Sequence, residues 1–138
     1  MKIREWMSPD PVHVSPDASV AEARELLEAH GFRHLPVVDY DRLVGIISDR
    51  DVAISAAALR AAVRRHNVGA LLDDERPIEA VMSSAPHVIG PDADVSEAAR
   101  LLVSRHINAL PVVEDGKLIG IITSVDCLLA TLEQPADA

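Results

Sequence analysis

The sequence predicts an α/β protein made of two tandem strand–helix–strand–strand–helix (β-α-β-β-α) units. Three observations predict it. The stretch Leu35–Asp51, LPVVDYDRLVGIISDRD, returns at Leu110–Asp126 as LPVVEDGKLIGIITSVD, each matched residue 75 positions on without a gap. Self-similarity at a fixed period marks duplication of a structural unit. The bare apolar runs LPVV and VGII read as strands covered on both faces, by helices on one side and by the other repeat's sheet on the other. Ahead of them Val20, Ala23, Leu26 and Leu27 share one helical face, with Glu22, Glu25 and Glu28 largely opposite.

Taken in order, Ile3–Met7 forms a short apolar-faced helical turn, stopped by Ser8-Pro9-Asp10-Pro11, and Ile78–Met82 repeats it behind Pro77, a favoured helix-starting residue. Val12-His13-Val14 and His87-Val88-Ile89 are short strands. Ser19 with Glu22 three residues on makes a capping box for the next helix, and Asp94 with Glu97 makes its counterpart. Gly31 supplies a left-handed stop; His106, in the same place, is a poorer one. Strands follow at Leu35–Val38 and Leu43–Ile47, joined in the second copy by Asp115-Gly116, the commonest hairpin signal. Ser48 and Thr123 open the last helix of each unit. The strand–helix–strand crossover is expected to be right-handed. Ala53–Val68 extends the first of these helices, Leu71–Arg76 is a looser connection, and the tail after Leu132 is frayed. The organisation expected is unit 1 at 2–54, a helical linker at 55–76, unit 2 at 77–130 and a tail at 131–138.

A repeat of about fifty residues is too small to bury a comfortable core alone, so the copies are expected to pack on each other. Apolar content of 49% with only 2% aromatics requires a core of Val, Leu, Ile and Ala. A net charge of −9 argues against a nucleic-acid backbone as partner and requires local positive potential wherever a phosphate binds. Met1–Glu5 lacks the apolar stretch of a signal peptide, no apolar run reaches the roughly 18 residues of a membrane span, and the single cysteine, Cys127, cannot form an internal disulfide. These features predict a cytoplasmic protein with no membrane contact.

The duplicated LPVV followed by Gly-apolar-apolar-Ser/Thr-x-x-Asp resembles the cystathionine β-synthase (CBS) domain, and two in tandem resemble a CBS pair, or Bateman module. Met-Ser-x-x-Pro at the start and Ser-Asp-Arg-Asp at the end of the first copy are most similar to stand-alone bacterial pairs, including the acetoin-utilisation type. The resemblance implies units packed sheet to sheet about a pseudo-twofold axis, a homodimer, and two clefts that hold an adenosine compound: AMP, ADP, ATP or S-adenosylmethionine. It implies that the motif Asp grips the ribose hydroxyls, the Ser/Thr reaches ribose or phosphate, and the first strand and the residues before LPVV line the adenine. One cleft would combine Val12, Arg33, His34 and Pro36 with Thr123 and Asp126. The other would combine Val88, Asn108, Ala109 and Pro111 with Ser48 and Asp51. Arg33, His34 and Arg50 are the candidate local cations. The Arg33/His34 cleft is expected to prefer the more highly charged ligand, because Asn108-Ala109 replaces that pair in the other. No cofactor is required, and an unidentified effector protein is implied.

Plainer explanations stand beside these. Ser48-x-x-Asp51 and Thr123-x-x-Asp126 are also capping boxes with an acid opposing the helix dipole. Gly45 and Gly120 serve close packing rather than ligand approach. Six histidines suggest a metal, but none has helical or zinc-finger ligand spacing, so no metal site is assigned. Arg60, Arg64, Arg65 and His66 make a solvated basic face, Cys127 is a buried small residue, and Trp6 is a core or interface anchor. With no Gly-x-Ser-x-Gly, no Walker loop and no paired His and Cys, no catalytic residue is assigned. The alternative function is a ligand-free dimerisation or protein-interaction platform.

Overall fold

The structure, a computed structural model, describes residues 1–66 and 74–133. It is a mixed α/β fold in which both copies show the expected element order. The elements are α1 (Ile3–Trp6), β1 (Ser8–Pro9), α2 (Val20–His30), β2 (His34–Asp39), β3 (Arg42–Ser48), α3 (Asp49–His66), a 3₁₀ turn (Ile78–Ala80), β4 (Ser83–Ser84), α4 (Val95–Arg105), β5 (Ala109–Glu114), β6 (Lys117–Thr123) and α5 (Ser124–Glu133). The end of the predicted helical extension at 67–68, Leu71–Asp73 and the tail beyond Glu133 lie outside the described residues.

Sequence repeat and compact unit are drawn at different places. One unit comprises Val12–Tyr40 and Val44–Ala85; the other comprises Met1–Pro11, Asp41–Leu43 and Pro86–Ala138. Each repeat's lead-in segment therefore belongs to the unit built on the other repeat. Ile78 is fully buried among Val14, Leu35, Val37 and Ile47. Ile3 is fully buried among Ile89, Leu110, Val112 and Ile122. Backbone bonds repeat the arrangement: Ile78 N–H donates to Ala18 O at 2.8 Å and Glu79 N–H to Pro16 O at 3.0 Å, as Ile3 N–H does to Ala93 O at 3.0 Å and Arg4 N–H to Pro91 O at 2.9 Å. The Pro-Asp-Ala turns thus receive the lead-in segments, and each seated isoleucine contributes about 1.5–3 kcal/mol by burial.

In the first unit β2 pairs with β3, and β4 pairs antiparallel with β3, setting Ser84 opposite Gly45. In the second, β5 pairs antiparallel with β6 from Ala109–Thr123 to Glu114–Lys117, and β1 lies antiparallel on β6 with Pro9 opposite Gly120. The predicted strands at Val12–Val14 and His87–Ile89 reduce to one parallel bridge each, Val14 to Val37 and Ile89 to Val112. The edge pairings of Ser8–Pro9 and Ser83–Ser84 are absent from the sequence reading, because Pro9 argues against a strand except at an edge and two residues are too few to show an alternating pattern. They explain the two glycines. A Cβ on Gly45 would run into the Met82 thioether and come within 2.9 Å of Ser83 O, and one on Gly120 would meet the Met7 thioether and Ser8 O at 3.1 Å.

Helix ends follow the sequence with two exceptions, both on α4. Glu22 N–H donates to Ser19 Oγ at 3.1 Å, and Gly31 closes α2 at φ +66°. His106 makes the same left-handed closure for α4 at φ +55°, donating to Leu102 O and Val103 O. It is a full stop despite the cost of that conformation to a residue with a side chain. Asp94 sits at the N-cap of α4 without capping it; its carboxylate instead accepts from Ser96 Oγ.

The expected loose connection at Leu71–Arg76 is, over Asp74–Arg76, tied down. Arg76 grips Asp74 with two bonds, Nε to Oδ1 at 2.9 Å and Nη2 to Oδ2 at 2.8 Å. Ser55 Oγ, on α3, donates to Asp74 Oδ2 at 2.5 Å. Val20 N–H and Ala21 N–H, at the start of α2, donate to Arg76 O and Asp74 O, both at 2.9 Å. The segment is therefore a strap across the beginning of α2 and the middle of α3. Asp74 is buried, and the Arg76 guanidinium, helped by Ser55, holds its carboxyl down at about 2.

Two predictions follow from this packing. Gly45→Ala and Gly120→Ala are each expected to destabilise the fold by about 1–3 kcal/mol, the usual cost of forcing a methyl into a filled site, read from urea midpoints. Because the Asp74 pKa is depressed on folding, its contribution is complete above the unfolded value near 4 and is lost as pH falls towards 2. That loss is on the order of 2 kcal/mol, and a pH series of unfolding curves should show it in the natural protein and not in Asp74→Asn.

Candidate functional site

Each unit carries one helix tip where the motif residues converge. In the first unit, β3 ends at Ser48 and α3 begins at Asp49. Asp51 N–H donates to Ser48 Oγ at 3.0 Å, and Ser48 N–H donates to Asp51 Oδ2 at 2.9 Å. In the second, Thr123 N–H and Thr123 Oγ1 donate to Asp126 Oδ2 at 2.8 and 3.0 Å, and Asp126 N–H returns a bond to Thr123 Oγ1 at 3.3 Å. Both are capping boxes, satisfying helix N–H groups that would otherwise lack partners. In both, the aspartate uses Oδ2 alone. Among the described residues no donor meets Oδ1 of Asp51 or Asp126, and both side chains are half-buried rather than buried. The capping function is real and leaves one carboxylate oxygen spare.

The residues before each LPVV are held against the same tip. Asp49 N–H donates to Arg33 O at 2.9 Å, and Ser124 N–H to Asn108 O at 3.1 Å. Arg33 and His34 thus stand beside Ser48, Asp49 and Asp51. Burial holds the His34 imidazole below its ordinary value; Asp49 and Asp51 act against that, and Arg33 adds to it. In the second unit Asn108 faces Ser124, with Ser124 Oγ 3.5 Å from Asn108 Oδ1, and borders a hollow of about 410 Å³ with Leu102, Val103 and His106.

The structure thus groups the predicted residues by unit. Val12, Arg33, His34, Pro36, Ser48, Arg50 and Asp51 belong to the first, and Val88, Asn108, Ala109, Pro111, Thr123 and Asp126 to the second. Pro36 and Pro111 are fully buried, Ala109 pairs with Thr123 in the hairpin, and Arg33 and Arg50 are exposed. Val88 is exposed, whereas its neighbour Ile89 fills the core. Sequence reasoning missed Asp49 and Ser124, which the backbone bonds to Arg33 and Asn108 place at the tips; their signal was position, directly after the motif Ser/Thr. Among the described residues no group of three or more His, Cys, Asp or Glu could hold a metal ion, and no helix of these residues is long and apolar enough to cross a membrane. Cys127 is buried, and burial, with Asp126 beside it, raises its thiol pKa.

Two helix-tipped α/β units related by a gap-free repeat define a duplicated module. The chain belongs to the CBS-domain family, whose model matches residues 3–58 and 78–133. An inosine-5'-monophosphate dehydrogenase from Korarchaeum cryptofilum is 36% identical over 118 residues, 85% of this chain. The chain spans only 21% of that relative's length. Among solved structures, CBSX2 in complex with AMP is similar at a TM-score of 0.79 and 31% identity, over 96% of each chain. The CBS domain pair of MJ0100 in complex with 5'-methylthioadenosine and S-adenosyl-L-methionine is similar at a TM-score of 0.78 and 27% identity, over 97% of this chain and all of that one.

Removing the hydroxyl caps tests the structural role alone. Ser48→Ala and Thr123→Ala are each expected to lower stability by about 1 kcal/mol, measured by urea unfolding without ligand.

Proposed function

We propose that this protein is a regulatory module that binds an adenosine compound and passes its occupancy to a partner protein. The observation that carries the reading is the spare oxygen of each motif aspartate. Asp51 Oδ1 and Asp126 Oδ1 are acceptors at the mouth of a helix tip, on a carboxylate already locked in place by its cap. A fixed carboxylate suits the vicinal hydroxyls of a ribose, and the N-terminus of the following helix suits a phosphate. Support comes from the AMP complex and the methylthioadenosine and S-adenosylmethionine complex formed by its structural neighbours.

The two clefts in this reading are those the family resemblance implies. Val12, Arg33, His34 and Pro36 serve with Thr123 and Asp126, and Val88, Asn108, Ala109 and Pro111 serve with Ser48 and Asp51. Arg33 and Arg50 supply the positive potential that a chain of net charge −9 otherwise lacks, while His34, whose charged form burial disfavours, serves as a hydrogen-bonding group. The cleft with Arg33 and His34 therefore takes the more phosphorylated ligand. The protein works as a cytoplasmic homodimer, without a catalytic step of its own. A ligand moves such a module only by its differential affinity for two arrangements.

A thermal-shift series with AMP, ADP, ATP and S-adenosylmethionine tests the reading. A binding ligand at a hundred times its dissociation constant adds about 2.7 kcal/mol. Asp51→Ala and Asp126→Ala are each expected to abolish one binding event, scored against each variant's own ligand-free melting point because the cap is lost as well. Absence of any shift with all four compounds would favour the ligand-free platform instead.

A further inference from the structure

We infer that the first residue of the helix behind each motif, Asp49 on α3 and Ser124 on α5, decides the charge of the adenosine compound its tip takes. The Ser124 tip takes a 5'-phosphate, and the Asp49 tip takes a 5' group without negative charge. This division rests on the adenosine reading above and adds the side chains that sort the ligands. With a ribose on the motif aspartate, the 5' group lies toward the N-terminus of the following helix, a place that ordinarily favours phosphate.

Much of that capacity is already taken. Asp49 N–H donates to Arg33 O at 2.9 Å and Asp51 N–H to Ser48 Oγ at 3.0 Å. Ser124 N–H donates to Asn108 O at 3.1 Å and Asp126 N–H to Thr123 Oγ1 at 3.3 Å. With the first and third N–H groups of each helix committed, the side chain of the first residue weighs more. A serine hydroxyl donates to a phosphate oxygen, whereas an ionised carboxylate only accepts and repels the same oxygen. Ser124 Oγ is 3.5 Å from Asn108 Oδ1, a contact long enough to be given up. Ser124 also borders the hollow of about 410 Å³, so its hydroxyl has open space to donate into. Asp49 is exposed and, among the described residues, stands in no ion pair that would mask its charge.

The repeat makes the contrast a controlled one. Ser48-Asp49-Arg50-Asp51 and Thr123-Ser124-Val125-Asp126 carry the same formal charge, so the difference is where the charge stands. Asp49 opens its helix against Arg33 and His34. Its charge reaches the His34 imidazole together with those of Asp51 and Arg33, while Arg50 is not among the charges that do so. Arg50 stands about 100° further round the helix, where its counterpart Val125 is an exposed residue of α5. An acid in the first helical turn is also a plain helix stabiliser. That role is indifferent to the charge of a ligand; the sorting role is not.

Isothermal titration calorimetry with AMP and adenosine, which differ only in the 5'-phosphate, tests one tip at a time on the full chain. In Asp126→Ala, where the Asp51 tip remains, adenosine is expected to bind at least as tightly as AMP. Asp49→Asn and Asp49→Ser, each added to that background, should raise the AMP affinity about tenfold and leave adenosine within about twofold, while Asp49→Glu changes neither. In Asp51→Ala, where the Asp126 tip remains, AMP should bind more tightly than adenosine, and Ser124→Asp should weaken AMP about tenfold and spare adenosine. The effect of Asp49→Asn on AMP should shrink as salt is raised, because screening shortens the reach of a surface charge. A cooperative circular-dichroism melt of each variant checks that folding is intact. An AMP-to-adenosine ratio indifferent to Asp49→Asn and to Ser124→Asp, with both compounds still bound, overturns this division and leaves the adenosine reading standing. Absence of binding by either compound to the natural protein overturns both.

Discussion

The seating of Ile3 and Ile78 is the constraint on which the rest of each unit depends. A body of about fifty residues cannot close its own core, and each here is completed by an isoleucine from the lead-in segment of the other repeat. Two backbone bonds to the Pro-Asp-Ala turn fix that segment's direction. What comes next is then determined: four residues past each isoleucine a methionine is laid over the central strand, and one residue further the chain pairs along it. Gly45 and Gly120 are glycine because that methionine and the following backbone leave no room for a side chain. The motif glycine is thus a packing requirement of the lead-in segment, with no ligand needed to explain it.

The same strands carry the constraint to the helix tips. Ser48 lies three residues beyond Gly45 and Thr123 three beyond Gly120, so the edge pairing that sets the glycine also sets where the helix begins. There, in the function proposed above, the motif serves two ends at once. The hydroxyl and one carboxylate oxygen satisfy the first turn of the helix, and the carboxylate is held by that duty in a single orientation. Preorganisation of this kind lowers the cost of ordering a side chain on binding. The capping and ligand readings of Ser/Thr-x-x-Asp are therefore not rivals, because the cap aims the oxygen that remains.

Much of this was legible in the sequence because duplication doubles every signal. Element order, the Ser19 cap, the Gly31 stop and the hairpin at Asp115-Gly116 all follow from residues whose local chemistry admits few alternatives. Three things were not legible, for physical reasons. A gap-free repeat has the same period whether a lead-in segment packs on its own body or on its duplicate, so the exchange of Ile3 and Ile78 leaves no trace in the pattern. The strap at Asp74–Arg76 reads as a polar connection, since nothing local says that Ser55, on a helix that began six residues earlier, will meet it. His106 ends α4 as cleanly as Gly31 ends α2, its N–H bonded to Leu102 O and Val103 O, against a local preference of about 1–2 kcal/mol.

Where the two copies have diverged is itself informative. The core pairs Leu35 and Leu110, Val37 and Val112, and Ile47 and Ile122 are all fully buried, and identical in each case. Selection for packing therefore acts alike on both copies. Among the differences are those at the helix tips, where Arg33-His34 stands at one and Asn108-Ala109 at the other, and on the outer helix faces, where Glu28, Arg50, Ala53 and Ala57 stand against Val103, Val125, Leu128 and Leu132. Neither set touches the isoleucine seat or the glycine–methionine contact, so neither is needed to keep the fold. A duplicated module can thus let its helix tips and outer helix faces diverge while the core shared by both copies is left untouched.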